Sequence, residues 1–122
     1  MRALVQRERH RWRAVAPAQY TLLLRVQCFC PGQRGWLLMD VRNEKLARAS
    51  DASGRSVQLT DWNTLTVDQL FDGLDRTIMN SRAIQIVFDS TWHYPTYTYS
   101  NSTAVVDGWS ILEARALHVL AR

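Results

Sequence analysis

Period-two alternation from Tyr20 to Cys30 is the strongest constraint on the fold. Tyr20, Leu22, Leu24, Val26, Cys28 and Cys30 alternate with Thr21, Leu23, Arg25, Gln27 and Phe29. Side chains two apart on a strand share a face, so the first set is predicted to line a core and the second to look away from it. Pro31-Gly32 ends the strand. A sheet with one buried face needs a covering layer.

Two segments can supply that layer. Residues 2–16 read as a helix with Val5, Trp12 and Val15 as a stripe, flanked by Leu4 and Ala16 and closed by Pro17. The second helix opens at Thr66, with Gln69 three residues on as a capping box and Leu65 and Leu70 as a hydrophobic staple. Val67, Leu70, Phe71, Leu74 and Ile78 then fall on one face, while Asp68, Asp72 and Asp75 are predicted on the water side. Further strands are expected at Trp36 to Val41, Lys45 to Ala49, Ile84 to Phe88 and Pro95 to Ser100, with Asn43-Glu44 as a tight turn and Val57 to Leu59 as a short edge. The tail admits two readings. Ser110-Ile111-Leu112-Glu113 could open a helix through Leu120, or Trp109 to Leu117 could close the sheet.

Short connections between strands imply antiparallel pairing. The expected fold is therefore α+β, one domain over residues 1–122: a single antiparallel sheet of about five to seven strands with two helices on one face, in the order α-β-β-β-(β)-α-β-β-(β). A chain of 122 residues hides about two thirds of its surface on folding and needs no metal or disulfide staple. Each half reads as a helix followed by a meander, which allows an internal duplication, although the residues of the halves do not match.

The charge is uneven. Residues 1–34 carry seven Arg against one Glu, or +6; the rest carries seven Arg and one Lys against ten acids, or −2. Arginines around a Trp on the first helix are compatible with an anionic surface or nucleic acid, but no nucleic-acid motif accompanies them, and a solvated helix face is the expectation. No apolar run approaches a membrane span. The residues after Met1 lack the apolar core of a signal peptide, so the chain is expected to be cytosolic or to have lost an export signal.

Two features could carry chemistry. Cys28 and Cys30, two apart on a strand, have Cα atoms about 6.7 Å apart, at the outer limit for a disulfide. They read as two buried small residues, as a labile clasp in an oxidising compartment, or as thiolate ligands for a soft metal. His10, His93 and His118 have no ligand spacing to them, and no metal site is assigned. The run Trp92-His93-Tyr94-Pro95-Thr96-Tyr97-Thr98-Tyr99 offers Trp92, Tyr94, Tyr97 and Tyr99 as a stacking platform for a ligand, against the plainer reading that alternate rings fill the core. No phosphate loop, nucleophile elbow or paired-His motif is present. The expected function is a non-enzymatic binding module without cofactor. A thiol-based redox or metal-binding protein is the alternative, with nucleic acid or an anionic surface behind it.

From Trp12 to about Leu117 the chain resembles a family of uncharacterised bacterial domains described as secreted proteins or lipoproteins. The likeness rests on Trp12 with Tyr20-Thr21-Leu22, on Cys28-Phe29-Cys30-Pro31, on Thr66-Val67-Asp68-Gln69-Leu70-Phe71-Asp72, and on Phe88-Asp89 with Tyr94-Pro95-Thr96. It implies an α+β fold and a periplasmic or secreted location, and no activity. The chain departs from that family at Asn43-Glu44, where relatives carry Asn-Gly or Asp-Gly, and in lacking their export signal.

Overall fold

A computed structural model describes residues 1–28, 35–60, 62–103 and 108–120. Helix α1 spans Arg2–Val15, and a four-strand meander follows: β1 Gln19–Cys28, β2 Leu37–Arg42, β3 Lys45–Ser50 and the two-residue β4 Ser56–Val57. Helix α2, Val67–Asn80, runs directly into β5, Ser81–Phe88, then β6 Pro95–Ser102 and β7 Trp109–Val119. All seven strands form one antiparallel sheet in the order β4-β3-β2-β1-β7-β6-β5. The tail is thus a strand, and it is central. It pairs with β1 on one side and β6 on the other, joining the two meanders.

The core lies between the sheet and the helices. Tyr20, Leu22 and Leu24 of β1, Leu37, Met39 and Val41 of β2, and Ala114 of β7 are buried on one face. Val67, Leu70, Phe71 and Leu74 of α2 meet them with Val5 and Trp12 of α1. Ile78 is only partly buried, and Val15, expected in the α1 stripe, is 45% exposed at the helix end.

The α2 start forms as its sequence dictates. Thr66 Oγ1 accepts the Gln69 N–H at 3.2 Å, and Gln69 Oε1 accepts the Thr66 N–H at 2.9 Å. The Val67 N–H, otherwise an orphan of the first turn, donates to the Tyr20 hydroxyl at 3.1 Å and ties α2 to β1. Burial holds the Tyr20 phenol up at about 12. With the folded value above the ordinary 10, its contribution to stability is complete below about pH 10 and is lost as pH rises through about 12. Thr66→Ala should cost about 1 kcal/mol; an unchanged urea midpoint would exclude the cap.

The three aspartates of α2 are expected on the water side; Asp72 stays 60% exposed, while Asp68 and Asp75 are half-buried, and all three reach toward α1. Asp68 accepts from Trp12 Nε1 at 3.3 Å, Asp72 pairs with Arg9, and Asp75 accepts from Gln6 Nε2 at 3.4 Å with Arg2 at 3.9 Å. Part of the N-terminal positive charge is therefore paired across the solvent-facing seam between the two helices.

The β2–β3 turn carries a strain visible in both of its residues. Asn43 and Glu44 have φ of 50° and 68°, the left-handed pair of a type I′ hairpin. Asn tolerates it, but Glu pays a steric cost at Cβ. Glu44→Gly should stabilise the protein by roughly 1 kcal/mol, seen as a rise in melting temperature; a fall would mean that Glu44 has a compensating partner.

Candidate functional site

Both helices pack on the core face, so among the described residues no helix covers the opposite face of the sheet. Its composition follows from alternation. Arg25, next to the buried Leu24 in β1, points away from the core, and cross-strand pairing places it beside Glu113, then Tyr97, then Val87. Glu113 Oε1 accepts from both Arg25 Nε at 3.2 Å and Nη2 at 2.6 Å. Trp36, just ahead of β2, lies against this row. The Arg25 guanidinium sits 4.6 Å from its ring and that of Arg115 sits 4.1 Å away. Two guanidiniums on one indole fix the ring by cation–π attraction, each contact worth about 0.5–1 kcal/mol at an exposed site.

One row further along, Gln85, Tyr99, Ile111 and Gln27 are cross-strand neighbours. Leu38 and Val87 are 40% and 47% exposed on the same face. Arg42, Lys45, Arg48 and Arg115 join Arg25 there against Asp40 and Glu113. Asp40 is paired to Arg42 at 2.8 Å and Glu113 to Arg25, leaving a positive excess on an aromatic surface.

The aromatic run divides. Tyr97 and Tyr99 are half-buried on the open face, while Thr98 and Ser100 turn toward α2. Tyr94 is 3% exposed and belongs to the core, edge-on to Trp12 at 6.5 Å between centroids. Trp92 packs against the core as well. Trp92, Tyr94, Tyr97 and Tyr99 are thus not one platform, because the hairpin loop turns the first two inward. Asp89 holds that loop by accepting the N–H groups of Thr91 and Trp92 at 2.9 and 2.6 Å. His93, with φ of 67°, docks the loop on α1 through Nδ1, 2.9 Å from Glu8 Oε2.

Cys28 ends β1 opposite Ser110 and is half-buried rather than sealed in the core. Cys30 lies outside the described residues. No group of three or more His, Cys, Asp or Glu suited to a metal occurs among the described residues, and no described helix is long and apolar enough to cross a membrane.

Sequence reasoning missed Trp36, Arg115 and Glu113. Alternation around Arg25 marks the open face, but which strands neighbour it depends on β7 being inserted beside β1.

The family model of DUF6174, a family of unknown function, matches residues 4–108. The chain belongs to that family. The DUF6174 match takes in α1 from residue 4, all of α2 and strands β1 to β6, including Arg25, Trp36, Tyr97 and Tyr99, and stops before β7. No curated protein and no solved structure matches the chain.

Proposed function

We propose that this DUF6174 protein is a non-enzymatic binding module that takes an acidic segment of another protein on the open face of its sheet. The observation that carries the reading is Trp36 held between Arg25 and Arg115 on the sheet face away from the helices. Ordered aromatic rings offer contact area at little entropic cost, and Trp, Tyr and Arg are the residues that dominate binding hot spots. The surplus of Arg over carboxylate on that face sets the sign of the partner. A 20-residue glutamate homopolymer, followed by tryptophan fluorescence, is the probe. Saturable binding that weakens at least tenfold in the double variant Arg48→Ala/Arg115→Ala, and falls with added salt, is expected. Binding that is absent, or equal in the variant, would reject the reading. Tighter binding of a thymidine oligonucleotide by the same face would transfer it to single-stranded nucleic acid.

The module is further proposed to work outside the cytoplasm with Cys28 and Cys30 bridged. The resemblance to secreted and lipoprotein domains supports this, as does the sequence, in which Cys28 and Cys30 are the two cysteines and stand two apart. Intact mass under denaturing conditions should rise by two hydrogens on reduction. Two thiols alkylated without reductant would remove the bridge. A bridge that glutathione opens in the native protein would favour the thiol-based reading over the purely structural one.

A further inference from the structure

Two adjoining cavities run along α2 on the helix side of the sheet, away from the open face. The first, about 100 Å³, is walled by Leu65, Leu70, Leu74 and Leu112. The second, an open groove of about 390 Å³, continues toward the end of α2 and takes in Arg76 and Asn80. Thr77, Ser100 and Ser110 line both. The composite space is apolar at one end, floored by hydroxyls in the middle and cationic at the other.

Each part is suited to holding something. Ser100 and Ser110 hydroxyls stand 3.0 Å apart. Their mutual bond uses one proton and leaves the second to be donated into the cavity. Thr77 spends its proton on the Gly73 carbonyl at 2.9 Å, so its oxygen remains as an acceptor. Gly73 is a poor choice for a helix interior. A Cβ there would meet nothing within 4 Å, so close packing is not what keeps it. Its effect is to leave the wall of the first cavity open.

We propose that the two cavities bind a short-chain carboxylate, with its alkyl chain among the leucines and its head toward Arg76 and the serine hydroxyls. Size limits the chain. A leucine-lined cavity of about 150 Å³ takes six-carbon benzene, so 100 Å³ holds about four carbons. Charge selects the head. The C-terminal end of a helix carries about half a negative charge, which a carboxylate would feel as repulsion. Arg76 brings a whole positive charge, and the terminal Asn80 carbonyl already accepts the Thr103 N–H at 3.0 Å and its hydroxyl at 3.2 Å. Attraction therefore wins.

The test is calorimetric titration of the intact protein with pentanoate, 1-pentanol and decanoate. Saturable pentanoate binding is expected, at least tenfold tighter than pentanol, with decanoate bound more weakly because the apolar cavity holds about four carbons. Arg76→Gln, an exposed change that leaves the core untouched, should erase the preference over pentanol. Gly73→Leu should fill the open wall, abolish binding of both and leave the melting temperature the same or higher. Absence of saturable pentanoate binding, equal affinity for the alcohol, or unaltered binding in Gly73→Leu would each overturn the site.

Discussion

Replacing Trp12 by alanine should remove about 3–5 kcal/mol of stability, the range for emptying a buried aromatic site. Trp12 is 1% exposed, edge-on to Tyr20 at 5.8 Å between centroids and to Tyr94 at 6.5 Å. Aromatic pairs in this geometry add about 0.5–1.5 kcal/mol beyond the area they bury. The indole also joins three elements, since its N–H is the donor to Asp68. Against a total of about 5–15 kcal/mol for a domain, the variant should be marginal at 37 °C. Urea melts followed by far-UV dichroism would measure it. A loss under 1 kcal/mol would mean that α1 is not integral to the core.

The second large effect is expected at Leu74. Leucine-to-alanine changes in a core cost about 2–5 kcal/mol, rising with the cavity left behind. Leu74 is 4% exposed and already forms part of the wall of a 100 Å³ void. Its removal enlarges a void instead of opening a fresh one that neighbours could close, so the cost should fall in the upper half of the range. The discriminating comparison is Leu74→Met, which keeps the volume and should cost under about 1.5 kcal/mol. Equal losses in the two would show that shape, not volume, is limiting there.

Elements governed by local rules are legible in the chain. The α2 cap needs only Thr66, Gln69 and the staple leucines, and the β2–β3 hairpin needs only its two-residue turn. β7 escapes because its signals conflict. Its core-facing residues include Ser110 and Ala114, too small or polar to advertise a buried face. Ala116, at φ of 58°, then inserts an irregularity that throws Leu117 out of phase, so no single period describes the strand. The tie between Asp72 and Arg9 spans 63 positions, and that between Glu113 and Arg25 spans 88. Neither can be read from spacing, and so the α1 partners of the α2 aspartates and the composition of the open face stay hidden in the sequence. The inward turn of Tyr94 is hidden for a related reason. The turn around Asp89 breaks the strand before Pro95, so the ring count across the run does not follow one alternation.

β7 follows every other strand in the chain and yet occupies the seam between the two meanders. A nascent chain halted before Trp109 holds two sheet fragments, and β1 and β6 each present a bare edge. In the folded chain β7 pairs with both of those edges. Capped α2 and the hairpins can form early, on microsecond scales, but cooperative folding must wait for a pairing of high sequence separation, which is slow. Unpaired edges invite intermolecular pairing in the meantime. The yield of native protein is therefore governed by how quickly the last strand slots in. A holdase that shields β1 and β6 should raise that yield without altering the melting temperature of the finished molecule.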